Sequence, residues 1–137
     1  MHSREHYVKQ AVIEASSKMK QEGIRHVLVG TAGLRWLGYN VEKVNDVDFL
    51  VESVPMSATP KEGSSTGSGE ATLYGIRVDY INCEDNSSRL GFLNQPFLTI
   101  QGVPVATTST IIELKRWADR DKDRAFLAGW DARELTP

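Results

Sequence analysis

The chain holds one cysteine, Cys83, and three histidines in 137 residues. A lone thiol forms no internal disulfide, so the fold must rest on packing, and the composition suits a reducing compartment. Cys83 itself reads as a small packing residue at a strand end. His2, His6 and His26 show no metal-ligand spacing. The net charge is only −2, which excludes a global basic field for nucleic acid but not a local patch. No apolar run approaches the length of a bilayer span. The opening residues MHSREHYVKQ carry no apolar signal core, so a cytoplasmic protein without membrane association is expected. Internal repeats are absent. What remains is ordinary for one globular domain over residues 1–137, with 40% hydrophobic and 25% charged residues.

Apolar spacing predicts the elements. Tyr7, Val8, Ala11, Val12, Ala15 and Met19 recur at helical intervals over residues 4–22, and Gly23 stops that helix. Residues 25–29 read as a buried strand, 31–39 as a short helix and 46–52 as a second strand. Residues 71–83 read as two strands around Gly75, and 97–106 as a hairpin turning near Gly102. Residues 107–130 read as helical, with Thr108 as N-cap and TIIE as a capping box. Between them, eleven of the sixteen residues 55–70 are Ser, Thr, Gly or Pro. Too few apolar groups stand there to offset ordering entropy, so a flexible loop is expected. The order of elements implies an α/β (α+β) fold, a mixed central sheet with helices packed on it.

The chemistry concentrates in HVLVGTAGLRWLGYNVEKVNDVDFLV, residues 26–51. Residues i and i+2 of a strand share a face, so Asp46 and Asp48 project side by side. Carboxylates that close repel unless a cation sits between them; the alternative is a solvated turn in which Asp48 caps a loop. Gly30-Thr31 joins the first strand directly to a helix. Gly lets a ligand approach the backbone, free N–H groups suit a phosphate, and the Thr31 hydroxyl adds a hydrogen bond. Asp79 is a lone acid inside the apolar pattern RVDYIN, where a charge needs a metal or a partner such as Arg77 or Arg89. Glu52, Glu84 and Asp85 are rivals at strand ends or turns. Lys115 lies at the edge of an apolar helix face, where a lysine can also snorkel to solvent.

These residues resemble the nucleotidyltransferase superfamily of DNA polymerase beta type. Its pattern is a hydrophobic residue and Gly, then Gly or Ser, a helix, Asp-x-Asp, and a third acid on a later strand. The match spans roughly residues 25–82. The tail GVPVATTSTIIELKRWADRDKDRAFL is similar to the end of small nucleotidyltransferases of abortive-infection and toxin–antitoxin systems. The resemblance implies that Gly30, Thr31 and Lys115 hold the phosphates of an NTP. It implies that Asp46, Asp48 and Asp79 bind two Mg2+ (or Mn2+) ions, with Asp79 helping to deprotonate a hydroxyl acceptor on a protein, an RNA or a small molecule. A chain this short would need a second copy or a partner protein to carry a large acceptor. Four departures stand out, one being that the loop 55–70 stands where relatives often have a helix. Thr31 replaces Gly or Ser, fourteen residues separate Thr31 from Asp46, and Phe126 occupies a position where relatives carry a late acid. A catalytically idle binding module with the same fold is the alternative reading, and a sugar-transferring enzyme using Asp-x-Asp is a third.

Overall fold

A computed structural model describes residues 3–41, 43–63 and 67–134. Helix α1 (Arg4–Gln21) starts at Ser3, whose hydroxyl accepts from the His6 N–H, and ends before Gly23, which takes φ +69°. Strand β1 (His26–Val29) leads straight into α2 (Gly30–Trp36), and β2 (Asp46–Val51) follows. A two-residue strand β3 (Thr59–Pro60) pairs with β4 (Gly69–Leu73), which turns through Tyr74-Gly75 into β5 (Ile76–Asn82). Helix α3 (Ser87–Leu93), strands β6 (Phe97–Ile100) and β7 (Val103–Ala106), and helices α4 (Thr108–Ala118) and α5 (Asp121–Glu134) complete the chain. Both hairpin turns, Tyr74-Gly75 and Gln101-Gly102, place two successive residues at positive φ. That conformation matches the twist of the paired strands.

The sheet is mixed, in the order β3-β4-β5-β2-β1-β7-β6. Its centre pairs β1 antiparallel to β2, and β2 parallel to β5. Alternation along β2 sends Val47, Phe49 and Val51 to the face covered by α1, where Val12, Ala15 and Met19 meet them with Tyr80, Val78 and Val105. The opposite face is only partly covered. There Leu50, Val27 and Val29 pack beneath Leu34 of α2, Leu93 of α3, Ile111 and Ile112 of α4, and Leu127 and Trp130 of α5. Leu50 lies under that cover, while Asp48 and Asp46, two and four residues back on the same face, run out from it. This explains two acids at the mouth of an apolar strand: one face of one strand passes from an open cleft into a core.

Three details differ from the sequence reading. Helix α3 and the short β3 carry little periodic apolar signal and were not expected. The N-cap of α4 is Thr107 rather than Thr108; Thr107 has extended backbone, and its Oγ1 accepts from the Thr110 N–H at 3.3 Å. A left-handed residue, Asp119 at φ 48°, divides the expected helical tail into α4 and α5. Within the stretch expected to be a flexible loop, residues 64–66 lie outside the described residues, while Thr59–Pro60 and Gly69–Glu70 form a short antiparallel ladder. Cys83 is a free, buried thiol, and burial pushes its pKa up to about 11. It stays a protonated packing group.

Candidate active site

The parallel pairing of β2 with β5 sets Asp48 beside Asp79 and Asp46 beside Arg77. Cross-strand neighbours share a face, so three carboxylates from two strands face one cleft of about 1050 Å³. Gly30, Thr31, Lys61, Arg77, Lys115 and Lys122 also line it. Gly30 is required twice over. Its φ of +68° is a left-handed conformation, and a Cβ there would lie 2.8 Å from Asp48 Oδ2. The missing side chain brings the turn against the carboxylate.

Loss of solvation inside the cleft raises the pKa of Asp48 to about 6, and the negative charge of Asp79 adds to that. Lys122 and Arg120 act in the opposite sense. Asp79 is buried, with Arg77 3.2 Å from Oδ2 and Lys61 Nζ 3.4 Å from Oδ1. Arg77 also reaches Asp46 Oδ2 at 3.3 Å. Arg77 was legible as a partner for Asp79 because residues two apart share a strand face. Lys61 was not, because it sits in a stretch without periodic signal.

Lys115 is buried rather than snorkelling. Its Nζ lies 3.4 Å from the Thr31 hydroxyl, 4.0 Å from Asp123 and 4.4 Å from the Phe126 ring centroid. Burial lowers its pKa, and the nearby Asp123 and Asp48 charges work against that. Asp123 is fully buried and accepts from the Arg120 backbone N–H and guanidinium. Burial would raise its pKa, but the Arg120 contacts outweigh that and lower it. Phe126, where a late acid was sought, instead supplies the ring under Lys115, and the buried acid of this region is Asp123 three residues earlier. Arg35, a conceivable phosphate ligand from its place on α2, is tied to Glu5 and to the Val41 carbonyl. Of the rival acids, Glu52 pairs with Arg25 at 3.7 Å.

Among the described residues, no three His, Cys, Asp or Glu side chains converge as a ready-made metal cage. Magnesium seldom uses one; it takes one or two carboxylates and completes its shell with water and substrate phosphate. The adjacent carboxylates of Asp48 and Asp79 fit that donor set.

The fold is that of known proteins. The chain is similar to a candidate nucleotidyltransferase from Thermotoga maritima over 96% of both chains, with a TM-score of 0.62 at 16% identity. It is also similar to an antigenic nucleotidyltransferase-like protein from Paracoccidioides brasiliensis, over 90% of this chain and 73% of that one, with a TM-score of 0.57 at 14% identity. No family model and no curated protein matches the sequence. At such identities the likeness shows the architecture alone: the chain is folded like these two proteins. Among the described residues, no helix is long and apolar enough to cross a membrane.

Proposed function

We propose that this protein is a metal-dependent nucleotidyltransferase that moves a nucleoside monophosphate from an NTP to a hydroxyl acceptor and releases pyrophosphate. The observation that carries the reading is the Asp48–Asp79 pair on adjacent strands, set against the side-chain-free turn at Gly30. Gly30 packs its backbone against the Asp48 carboxylate, so phosphates held at this turn would lie beside the carboxylates. Thr31 and Lys115, already 3.4 Å apart, provide a hydroxyl and an ammonium toward them. Asp48 and Asp79, with Asp46 at the rim, would hold Mg2+ or Mn2+, which would neutralise charge on the phosphates and lower the pKa of the attacking hydroxyl.

The acceptor oxygen bonds to the α-phosphorus, and the bond to the β-phosphate oxygen breaks. The acceptor proton would leave with the help of Asp79. The cleft residues would hold the reacting groups in place, so positioning and electrostatics carry the rate. The acceptor is a protein side chain, an RNA 3′ end or a small molecule. A second copy or partner protein supplies the surface for a large acceptor.

The test incubates the protein with each α-labelled NTP, magnesium or manganese, and a cell extract. Label should enter one acceptor class and disappear with Asp48→Asn. No labelled product together with no metal-dependent NTP binding would favour the idle binding module.

A further inference from the structure

Two of the three cleft carboxylates, Asp46 and Asp79, already have cations. One Arg77 nitrogen bridges Asp46 Oδ2 at 3.3 Å and Asp79 Oδ2 at 3.2 Å, and Lys61 approaches the other oxygen of Asp79 at 3.4 Å. Both oxygens of Asp79 are thus engaged. Among the described residues, the ion pairs of the cluster go to Asp46 and Asp79, and none goes to Asp48.

Topology produces this arrangement. Arg77 is the cross-strand neighbour of Asp46 and stands two residues before Asp79 on the same strand face. The register therefore delivers its guanidinium between the two acids. Lys61 enters from the other side, on the segment between β3 and β4, and β4 sets Glu70 opposite Asp79. The Asp79 and Asp46 charges, with a smaller contribution from Glu70, raise the pKa of Arg77 and hold it as a cation.

We propose that Arg77, assisted by Lys61, occupies the cation positions of this cluster in the metal-free protein, so that a divalent ion enters only by displacing them. The inference rests on the proposed function only in taking the cluster as the metal site. A guanidinium and a divalent ion compete for the same oxygens and repel each other at this range. Coupling of this kind is reciprocal: metal binding loosens Arg77, and an anion that recruits Arg77 favours metal. Without metal, the Asp46 and Asp79 charges are therefore offset and Asp48 is left without an ion pair. The phosphates of an incoming nucleotide receive the displaced guanidinium, so metal and nucleotide bind together more readily than either binds alone. Lys61 ties the β3–β4 segment to the same event.

The probe is Mn2+ alone, without nucleotide, followed by calorimetry and by the paramagnetic signal of the free ion. Arg77→Gln should bind Mn2+ at least about 10-fold more tightly than the wild type, and Lys61→Gln should show a smaller gain. Lys9→Gln, the same charge change on the distant α1, should shift affinity less than about 2-fold because solvent and salt screen it. Adding Asp48→Asn to Arg77→Gln should abolish the gain, which locates the ion. If Arg77→Gln folds poorly, Arg77→Lys serves instead: it keeps the charge, loses the bridge between two acids, and should give an intermediate gain.

Equal Mn2+ affinity in wild type and Arg77 variants, or no Mn2+ binding by any of them, would overturn the proposal. So would an equal gain in Lys9→Gln. The outcomes separate from those of the transfer assay. Tighter Mn2+ binding without any labelled acceptor upholds the role of Arg77 and removes the transferase. Labelled acceptor with unchanged Mn2+ affinity does the reverse.

Discussion

Asp48 shows how one residue serves chemistry at the expense of stability. Its carboxylate faces that of Asp79 in a cleft where water is scarce, and its pKa rises to about 6. At neutral pH the folded protein holds a charge that the unfolded chain would solvate better. Replacing Asp48 by Asn keeps the shape and removes the repulsion. Asp48→Asn is expected to melt at the same or a higher temperature than the wild type without metal, while losing its metal-dependent response to NTP. A structural cap would behave oppositely, costing about 1 kcal/mol and leaving ligand binding alone. Paired thermal melts with and without Mg2+ and NTP distinguish the two.

His26 behaves differently. It is buried; its Nδ1 donates to the Ile24 carbonyl and its Nε2 accepts from the Ser16 hydroxyl, both at 2.8 Å. The neutral ring is fully satisfied, and burial holds its pKa below the ordinary 6.5. The unfolded chain then takes up a proton near pH 6.5 that the folded chain resists. The His26 contribution is whole above that pH and is lost as pH falls through the lower folded value. The stability advantage of wild type over His26→Gln should therefore narrow between pH 7.5 and pH 5, as followed by urea unfolding. An advantage that stays constant or widens would contradict it.

At the scale of elements, α4 matters because it carries Lys115 to Thr31. Its first turn is closed by Thr107, whose hydroxyl satisfies the Thr110 N–H. Thr107→Ala removes that acceptor and should cost about 1 kcal/mol in chemical denaturation, whereas Thr108→Ala should cost little by this route. The misplacement by one residue has a plain origin: TTST offers neighbouring hydroxyls, and backbone geometry decides which becomes the cap. Similarly, SSRLGFL contains only Leu90, Phe92 and Leu93 as apolar anchors in seven residues. The Asn86 side chain starts that helix by accepting from the Arg89 N–H, and Leu93 anchors it in the core with Leu50 and Cys83. Tertiary contacts supplied what periodicity lacked.

For the whole molecule, the sheet divides the labour. The α1 side holds a continuous core, and the other side is split between a core under α2 to α5 and the cleft. A ligand that binds only the folded cleft stabilises the entire chain by mass action. At 100 times its dissociation constant it contributes about 2.7 kcal/mol, which is a few degrees of melting temperature for a domain of this size. The wild type should show that rise with Mg2+ and NTP together and a smaller one with either alone. An equal rise in Asp48→Asn would place the ligand elsewhere.

The sequence by itself determined the elements with strong period and clear punctuation: α1 before Gly23, the strands around Asp-x-Asp and Asp79, and the hairpins at Gly75 and Gly102. It also determined that Asp46 and Asp48 share a strand face, because that depends only on two-residue alternation. Tertiary structure decided everything that depends on register between distant segments. The parallel pairing of β2 and β5 set Asp79 beside Asp48 rather than one residue away on the opposite face. It delivered Arg77 between two acids, and the fold of α4 onto α2 turned Lys115 from a rim residue into a buried neighbour of Thr31. Pairing register is a property of the assembled sheet, and no short stretch of chain carries it alone.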